Sequence, residues 1–163
     1  MNISSKLPEV GTTIFTVMSK LALEHQAINL SQGFPNFAGS AHLLERVEYY
    51  LRNGYNQYAP MTGVPLLRQR IAAKIEQLYG LRIDADQEIT ITAGATQAIY
   101  TAISAFIHPG DEVILFEPAY DSYRPSVEVN GGVPIVYELT APDYQVDWEE
   151  LGRLLSARTR MII

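Results

Sequence analysis

From residue 88 onward the sequence switches repeatedly between a strand-like and a helix-like hydrophobic period, and that alternation restricts the chain to few architectures. Glu88-Ile89-Thr90-Ile91-Thr92 is rich in β-branched residues and reads as a strand. Ala95, Ala98, Ile99, Ala102, Ile103 and Phe106 then recur at the spacing of one helix face. Pro109-Gly110-Asp111 turns the chain into a second strand, Glu112 to Phe116, followed by a helix expected from about Tyr120 to Asn130. Val133 to Leu139 reads as a third strand. Asp147 and Glu150 form a capping-box pattern ahead of a helix containing Leu151, Leu154 and Leu155, and Thr159 to Ile163 begins a fourth strand. Strands alternating with helices imply parallel βαβ units with right-handed crossovers, an α/β fold with helices on both faces of the sheet. A chain that stops on an apolar strand, with no turn or polar tail, is expected to be truncated.

The first half is more helical. Residues 1–10 are polar, contain Pro8 and read as an arm. Thr12 or Thr13 is placed to cap a helix carrying Ile14, Val17, Met18 and Leu21, and Ser40 to cap a second carrying Leu44, Val47 and Leu51. Pro65 suits the first turn of a third helix, with Leu67, Ile71, Ile75 and Leu78 on one face and Gly80 stopping it. Between these helices lie two irregular segments, Ser31-Gln32-Gly33-Phe34-Pro35 and Tyr55 to Gly63.

Charge and composition narrow the partners. Lys and Arg total 12 against 18 Asp and Glu, a net charge of −6, which lacks the concentrated basic face that a nucleic-acid partner requires. The densest basic group, Arg153, Arg158 and Arg160, is expected on a solvated helix end. There is no cysteine for disulfides or thiolate metal sites. His25, His42 and His108 have no metal-ligand spacing, so no metal is expected. No run of about 18 apolar residues occurs, and the first residues lack the apolar stretch of a signal peptide, so a soluble, cytoplasmic protein with no membrane partner is expected.

Three segments carry candidate chemistry. In Thr92-Ala93-Gly94-Ala95-Thr96-Gln97 a strand hands over to a helix, and Gly94 lets the backbone approach a ligand closely. The N–H groups of Ala95 and Thr96, with the Thr96 hydroxyl, could hold a phosphate at the positive end of that helix. Taken alone, the segment is better read as an ordinary turn with Thr96 as a local hydrogen-bonder. One βα unit later, Phe116 to Tyr123 follows the carboxyl end of a strand, where open α/β sheets bind ligands. There Tyr120 could stack on a planar ring or simply pack against the sheet. In Asn56 to Gly63 the Tyr58 hydroxyl could reach a phosphate or substrate, or be a surface tyrosine. Neither G-x-G-x-x-G nor Gly-Lys-Ser/Thr occurs, which removes the standard nucleotide loops, and neither G-x-S-x-G nor H-E-x-x-H is present.

Together, Glu24 to Pro35, Asn56-Gln57-Tyr58, Thr92 to Thr96 and Asp111-Glu112-Val113, in this order and spacing, resemble the N-terminal part of class I/II, fold-type I pyridoxal-phosphate-dependent aminotransferases. The resemblance is strongest to the methionine aminotransferase and kynurenine aminotransferase (glutamine transaminase K) branch and runs nearly end to end. It implies the pyridoxal-phosphate transferase fold, a three-layer αβα arrangement on a mostly parallel sheet. Residues 1–45 would then be the arm and part of the small domain, and residues 46–163 the first part of the cofactor-binding large domain. It further implies that Gly94, Ala95 and Thr96 form the phosphate cup, that Tyr120 stacks on the pyridine ring, and that Tyr58 reaches the neighbouring subunit's site in a homodimer. Gly33 would help hold the substrate carboxylate, and Phe15 would line a side-chain pocket suited to apolar or aromatic amino acids, methionine included.

The same resemblance implies a reaction between an amino acid and a 2-oxo acid, with pyridoxal 5'-phosphate as cofactor. The chain departs from the family pattern in one decisive respect. Its lysines are Lys6, Lys20 and Lys74, and none matches the family's Schiff-base lysine, which would lie beyond Ile163. These 163 residues alone are therefore expected to be inactive, with no catalytic residue of their own. Two alternatives stay open on the sequence: a pyridoxal-phosphate β-lyase acting on cysteine conjugates, and a non-catalytic remnant of the fold that acts as a binding module.

Overall fold

A computed structural model of the protein describes residues 3–33 and 35–163; Phe34 of the first irregular segment and the first two residues of the arm lie outside the described residues. The chain divides into two compact units, one of residues 1–21 with 93–163 and one of residues 22–92.

The first unit is built on three parallel strands, β1 (Glu112–Glu117), β2 (Val133–Glu138) and β3 (Thr159–Ile162), in the order β2-β1-β3. β1 pairs with β2 in register from Glu112 opposite Val133 to Glu117 opposite Glu138. Its pairing with β3 carries an irregularity between Glu112 and Val113. Being central, β1 must be apolar on both faces. Val113 and Leu115 pack with Ile103, Ile107 and Val127 on one side, from helices α4 (Ala95–Phe106) and α5 (Tyr123–Val129) and the α4 exit, while Ile114 packs with Tyr137 and Leu151 on the other. Leu151 belongs to α6 (Trp148–Leu154), so helices lie on both faces and the layering is α-β-α. Val113, Ile114 and Leu115 are fully buried, each contributing about 1.5–3 kcal/mol of burial.

The helix ends show which sequence signals act. Thr13 Oγ1 accepts from the Thr16 amide at 3.3 Å at the start of α1 (Ile14–Glu24). Asp147 accepts from the amides of Glu149 and Glu150, but only half of the expected capping box forms. The Asp147 amide instead donates to the Tyr137 hydroxyl at 2.8 Å. The helix expected from Tyr120 begins at Tyr123, because the chain still turns through Pro118 to Ser122 after β1. The arginines expected on a solvated helix end do not sit there as a group. Arg158 and Arg160 flank and open β3 and reach back to the carboxylates that begin β1, Arg160 Nε lying 3.4 Å from Asp111 and Arg158 Nε donating to Glu112 at 2.8 Å.

Glu112 is buried, and the Ser156 hydroxyl donates to it at 2.5 Å; this bond and then the Arg158 guanidinium hold its carboxyl below the ordinary glutamate value. The folded state thus favours the ionised form. Its contribution is present above the unfolded glutamate value and is lost as the pH falls through the lowered one. Glu112→Gln is therefore expected to lower the melting temperature at neutral pH and to flatten its fall in acid. A thermal melt series from neutral to acidic pH checks this, and parallel curves for the two proteins would sink it.

The second unit holds α2 (Ala41–Arg52) and α3 (Pro65–Tyr79). Ser40 occupies the N-cap position of α2 without a side-chain cap bond. α3 begins at Pro65 and stops at Gly80, whose φ of +68° is the left-handed cap that glycine supplies most easily. Glu88 to Thr92 does not form a strand. Its β-branched composition is right, but a strand needs a ladder partner, and the Ile91 amide donates to Thr62 O of the irregular segment at 3.0 Å instead of to a strand.

Candidate active site

Gly94 carries φ +88° and ψ 169°, a region open essentially to glycine alone. This conformation swings the chain into α4 with no side-chain cap, and the first intrahelical bond runs from the Ala98 amide to Gly94 O at 3.3 Å. The amides of Ala95 and Thr96 precede that bond and point out of the helix start, where the helix dipole favours an anion. A Cβ built on Gly94 meets nothing within 4 Å, so the space beside the turn is open. The turn is steadied by the Gln97 side chain, which accepts from the Ala93 amide at 2.5 Å. An exposed helix start with glycine at its entry fits a phosphate group.

The short turn from His108 to Asp111 joins α4 to β1, and the two pack side by side through Ile103, Ile107, Val113 and Leu115. They therefore run antiparallel, and the start of α4 lies at the same end of the unit as the carboxyl end of β1. Tyr120 follows that end of β1. It is about half exposed, with its ring centroid 6.4 Å from that of Phe15 at an interplanar angle of 34° and 5.9 Å from that of Tyr123. A depression of about 370 Å³ lies here, lined among others by Glu117, Pro118, Tyr120, Asp121 and Arg124. Thus Gly94, Ala95, Thr96, Tyr120 and Phe15 belong to one unit, the first three and Tyr120 at one end of it and Phe15 against Tyr120.

Gly33 and Tyr58 belong to the other unit. Gly33 is exposed with open space where a side chain would be, and Tyr58 is fully exposed on the irregular segment before α3. Two features had no sequence signal. Arg124 pairs with Glu117 at 2.7 Å across the depression beside Tyr120, and Ser122 Oγ is buried without a hydrogen-bond partner. Charged residues on either side of a turn look in the sequence like ordinary surface positions, so the pair becomes visible only once β1 and α5 are placed. Among the described residues no group of three or more His, Asp or Glu side chains is placed to hold a metal ion, and no helix is long and apolar enough to cross a membrane.

The family profile for aminotransferase class I and II matches residues 25–163. The chain belongs to the class I and II aminotransferases. It is 57% identical over 159 residues to methionine aminotransferase of Escherichia coli K12, covering 98% of this chain and 41% of that protein. It is 32% identical over 157 residues to human kynurenine–oxoglutarate transaminase 1, covering 88% of this chain and 37% of that one. Among solved structures, the Escherichia coli protein YbdL, for which a methionine aminotransferase function is described, superposes with a TM-score of 0.95 at 56% identity, over 99% of this chain and 42% of that one. The chain thus spans about two fifths of the length of these relatives. Their shared architecture is the fold-type I pyridoxal-phosphate transferase fold, to which the parallel sheet and its two helical layers belong. Class I and II aminotransferases are pyridoxal-phosphate enzymes.

Proposed function

We propose that the intact enzyme to which this chain belongs moves an amino group between an apolar or aromatic L-amino acid, methionine-like in size, and a 2-oxo acid. The observation that carries this reading is the Gly94 turn, which opens the start of α4 at the same end of the unit as the exposed Tyr120 ring. The amides of Ala95 and Thr96 and the Thr96 hydroxyl would hold the cofactor phosphate, and the helix dipole would offset part of its charge. The Tyr120 face would lie along the pyridine ring and keep it from tilting. Pyridoxal phosphate, when bound, supplies an electron sink for the bond changes at the amino acid's α-carbon, while the protein fixes its position.

Phe15, packed against Tyr120, would form an apolar wall for the substrate side chain, which favours methionine over a charged donor. Gly33 would leave a backbone amide accessible to the substrate carboxylate. Tyr58, fully exposed on its segment, is suited to complete the site of a second subunit, so the reading includes a homodimer with shared sites. The similarity to methionine aminotransferase supports the donor class, and the division at residues 45 and 46 into small-domain and large-domain parts goes with it. A cytoplasmic location completes the reading.

The test is amino-group transfer by the intact enzyme, read as 2-oxo acid formation with methionine, phenylalanine and aspartate as donors. Methionine and phenylalanine should both exceed aspartate by about tenfold or more in kcat/KM, a difference of roughly 1.4 kcal/mol. Preference for aspartate would overturn the donor assignment, and transfer unaffected by removal of pyridoxal phosphate would overturn the whole reading.

A further inference from the structure

Arg68 is 6% exposed and lies in the first turn of α3, where an arginine needs a reason to be buried. Its guanidinium is divided among three acceptors. Nε donates to Gly63 O at 3.4 Å, one terminal nitrogen donates to Ala85 O at 2.5 Å, and the same nitrogen lies 3.0 Å from a carboxylate oxygen of Asp86. Gly63 ends the segment that carries Tyr58, while Ala85 and Asp86 belong to the turn before the Glu88–Thr92 stretch. These two pieces of chain also touch directly. The Ile91 amide donates to Thr62 O at 3.0 Å, and the backbone of Gly63 lies so close to Ile91 that a Cβ there would stand 2.4 Å from Ile91 Cγ1.

A packing role alone would be met by leucine or methionine, because burying a charge is costly and apolar replacements of buried ion pairs are often tolerated. What the guanidinium adds is a rigid fork that fixes several acceptors in one plane. Here the acceptors are the end of the Tyr58 segment and the turn at Ala85 and Asp86.

We propose that Arg68 is a positioning residue that braces the Tyr58 segment against residues 85–91 as one piece, and so sets how Tyr58 is presented for cofactor binding. This rests on the function proposed above, since it takes Tyr58 as a residue that completes the cofactor site of a second subunit. It predicts a local effect in Arg68→Met, which keeps the length of the apolar stem, and a weaker one in Arg68→Lys, which keeps the charge without the fork.

The experiment compares both variants with the unmodified intact enzyme by amide hydrogen exchange and by equilibrium binding of pyridoxal phosphate. Exchange at Gly63 and Ile91 should rise about tenfold in Arg68→Met while the amides of Val113 to Leu115 hold their protection, and pyridoxal phosphate affinity should fall several-fold. Arg68→Lys should fall between and remains the informative variant if Arg68→Met does not fold. Unchanged exchange at Gly63 and Ile91, or a rise matched at β1, would overturn the brace. Raised local exchange with unaltered cofactor affinity would overturn the positioning role. If the unmodified enzyme binds no pyridoxal phosphate, the proposed function fails, and the exchange data alone decide whether Arg68 braces these segments.

Discussion

Gly63→Ala is expected to destabilise the unit of residues 22–92 by about 2–5 kcal/mol, combining backbone strain with overpacking. At φ +96° an L-residue is disfavoured before any contact is considered, and the new Cβ would stand 2.4 Å from Ile91 Cγ1 and 2.7 Å from Ile91 Cβ. Neither atom is the far end of a flexible chain, so the clash cannot be relieved by rotating a side chain. The backbone of one segment must move, and that movement strains the Thr62–Ile91 hydrogen bond. Adding Ile91→Ala removes Cγ1 but leaves Cβ, so the double variant should recover only part of the loss. Denaturant unfolding of the single and double variants measures both quantities. A Gly63→Ala protein within about 0.5 kcal/mol of the original would show that the segment adapts and that the contact carries no weight.

Gly94→Ala should separate stability from function in the opposite way. The new methyl group meets open space, so there is no clash, but the φ and ψ of this residue cost an alanine about 1–3 kcal/mol. The cheapest relief is a rotation of the turn, which re-aims the amides of Ala95 and Thr96. Pyridoxal phosphate affinity of the intact enzyme is therefore expected to drop by about tenfold to a hundredfold, about 1.4 kcal/mol for each factor of ten. Core packing around Ile103 and Leu115 should be retained. Equilibrium dialysis of the cofactor, alongside a thermal melt, resolves the two effects. Equal affinity in both proteins would remove the phosphate role from this turn.

The parts of the fold that were legible in the sequence are those whose partners lie close by along the chain. The apolar face of α4 and the runs of β1, β2 and β3 each show a local period, and each element forms where that period predicts it. Glu88 to Thr92 has strand composition but no ladder neighbour among the described residues, and no local pattern can supply one. The arginines misled for a related reason. Nothing within Arg158-Thr159-Arg160 reveals that β3 lies beside β1 and brings Glu112 and Asp111 within reach. At the candidate site the turn at Gly94 was legible because only glycine accepts its backbone angles, and Tyr120 because it follows a strand end. Arg68 was not legible: arginine is common in helices, and its burial depends on two other chain segments that no periodicity connects.

The strand order β2-β1-β3 also carries a consequence for how the sheet assembles. β2 follows β1 after a single short helix, whereas β3 must return past β2 and α6 to reach the opposite edge of the same strand. Closing the shorter loop sacrifices less chain entropy, so β1, α5 and β2 are expected to pair before β3 docks onto the remaining edge of β1. The carboxylates of Asp111 and Glu112 then wait at the mouth of that edge for the arginines of the arriving strand. Their charge complementarity acts as a register check on the last strand to join, and a chain that mispairs by one residue would leave Glu112 buried without its cation.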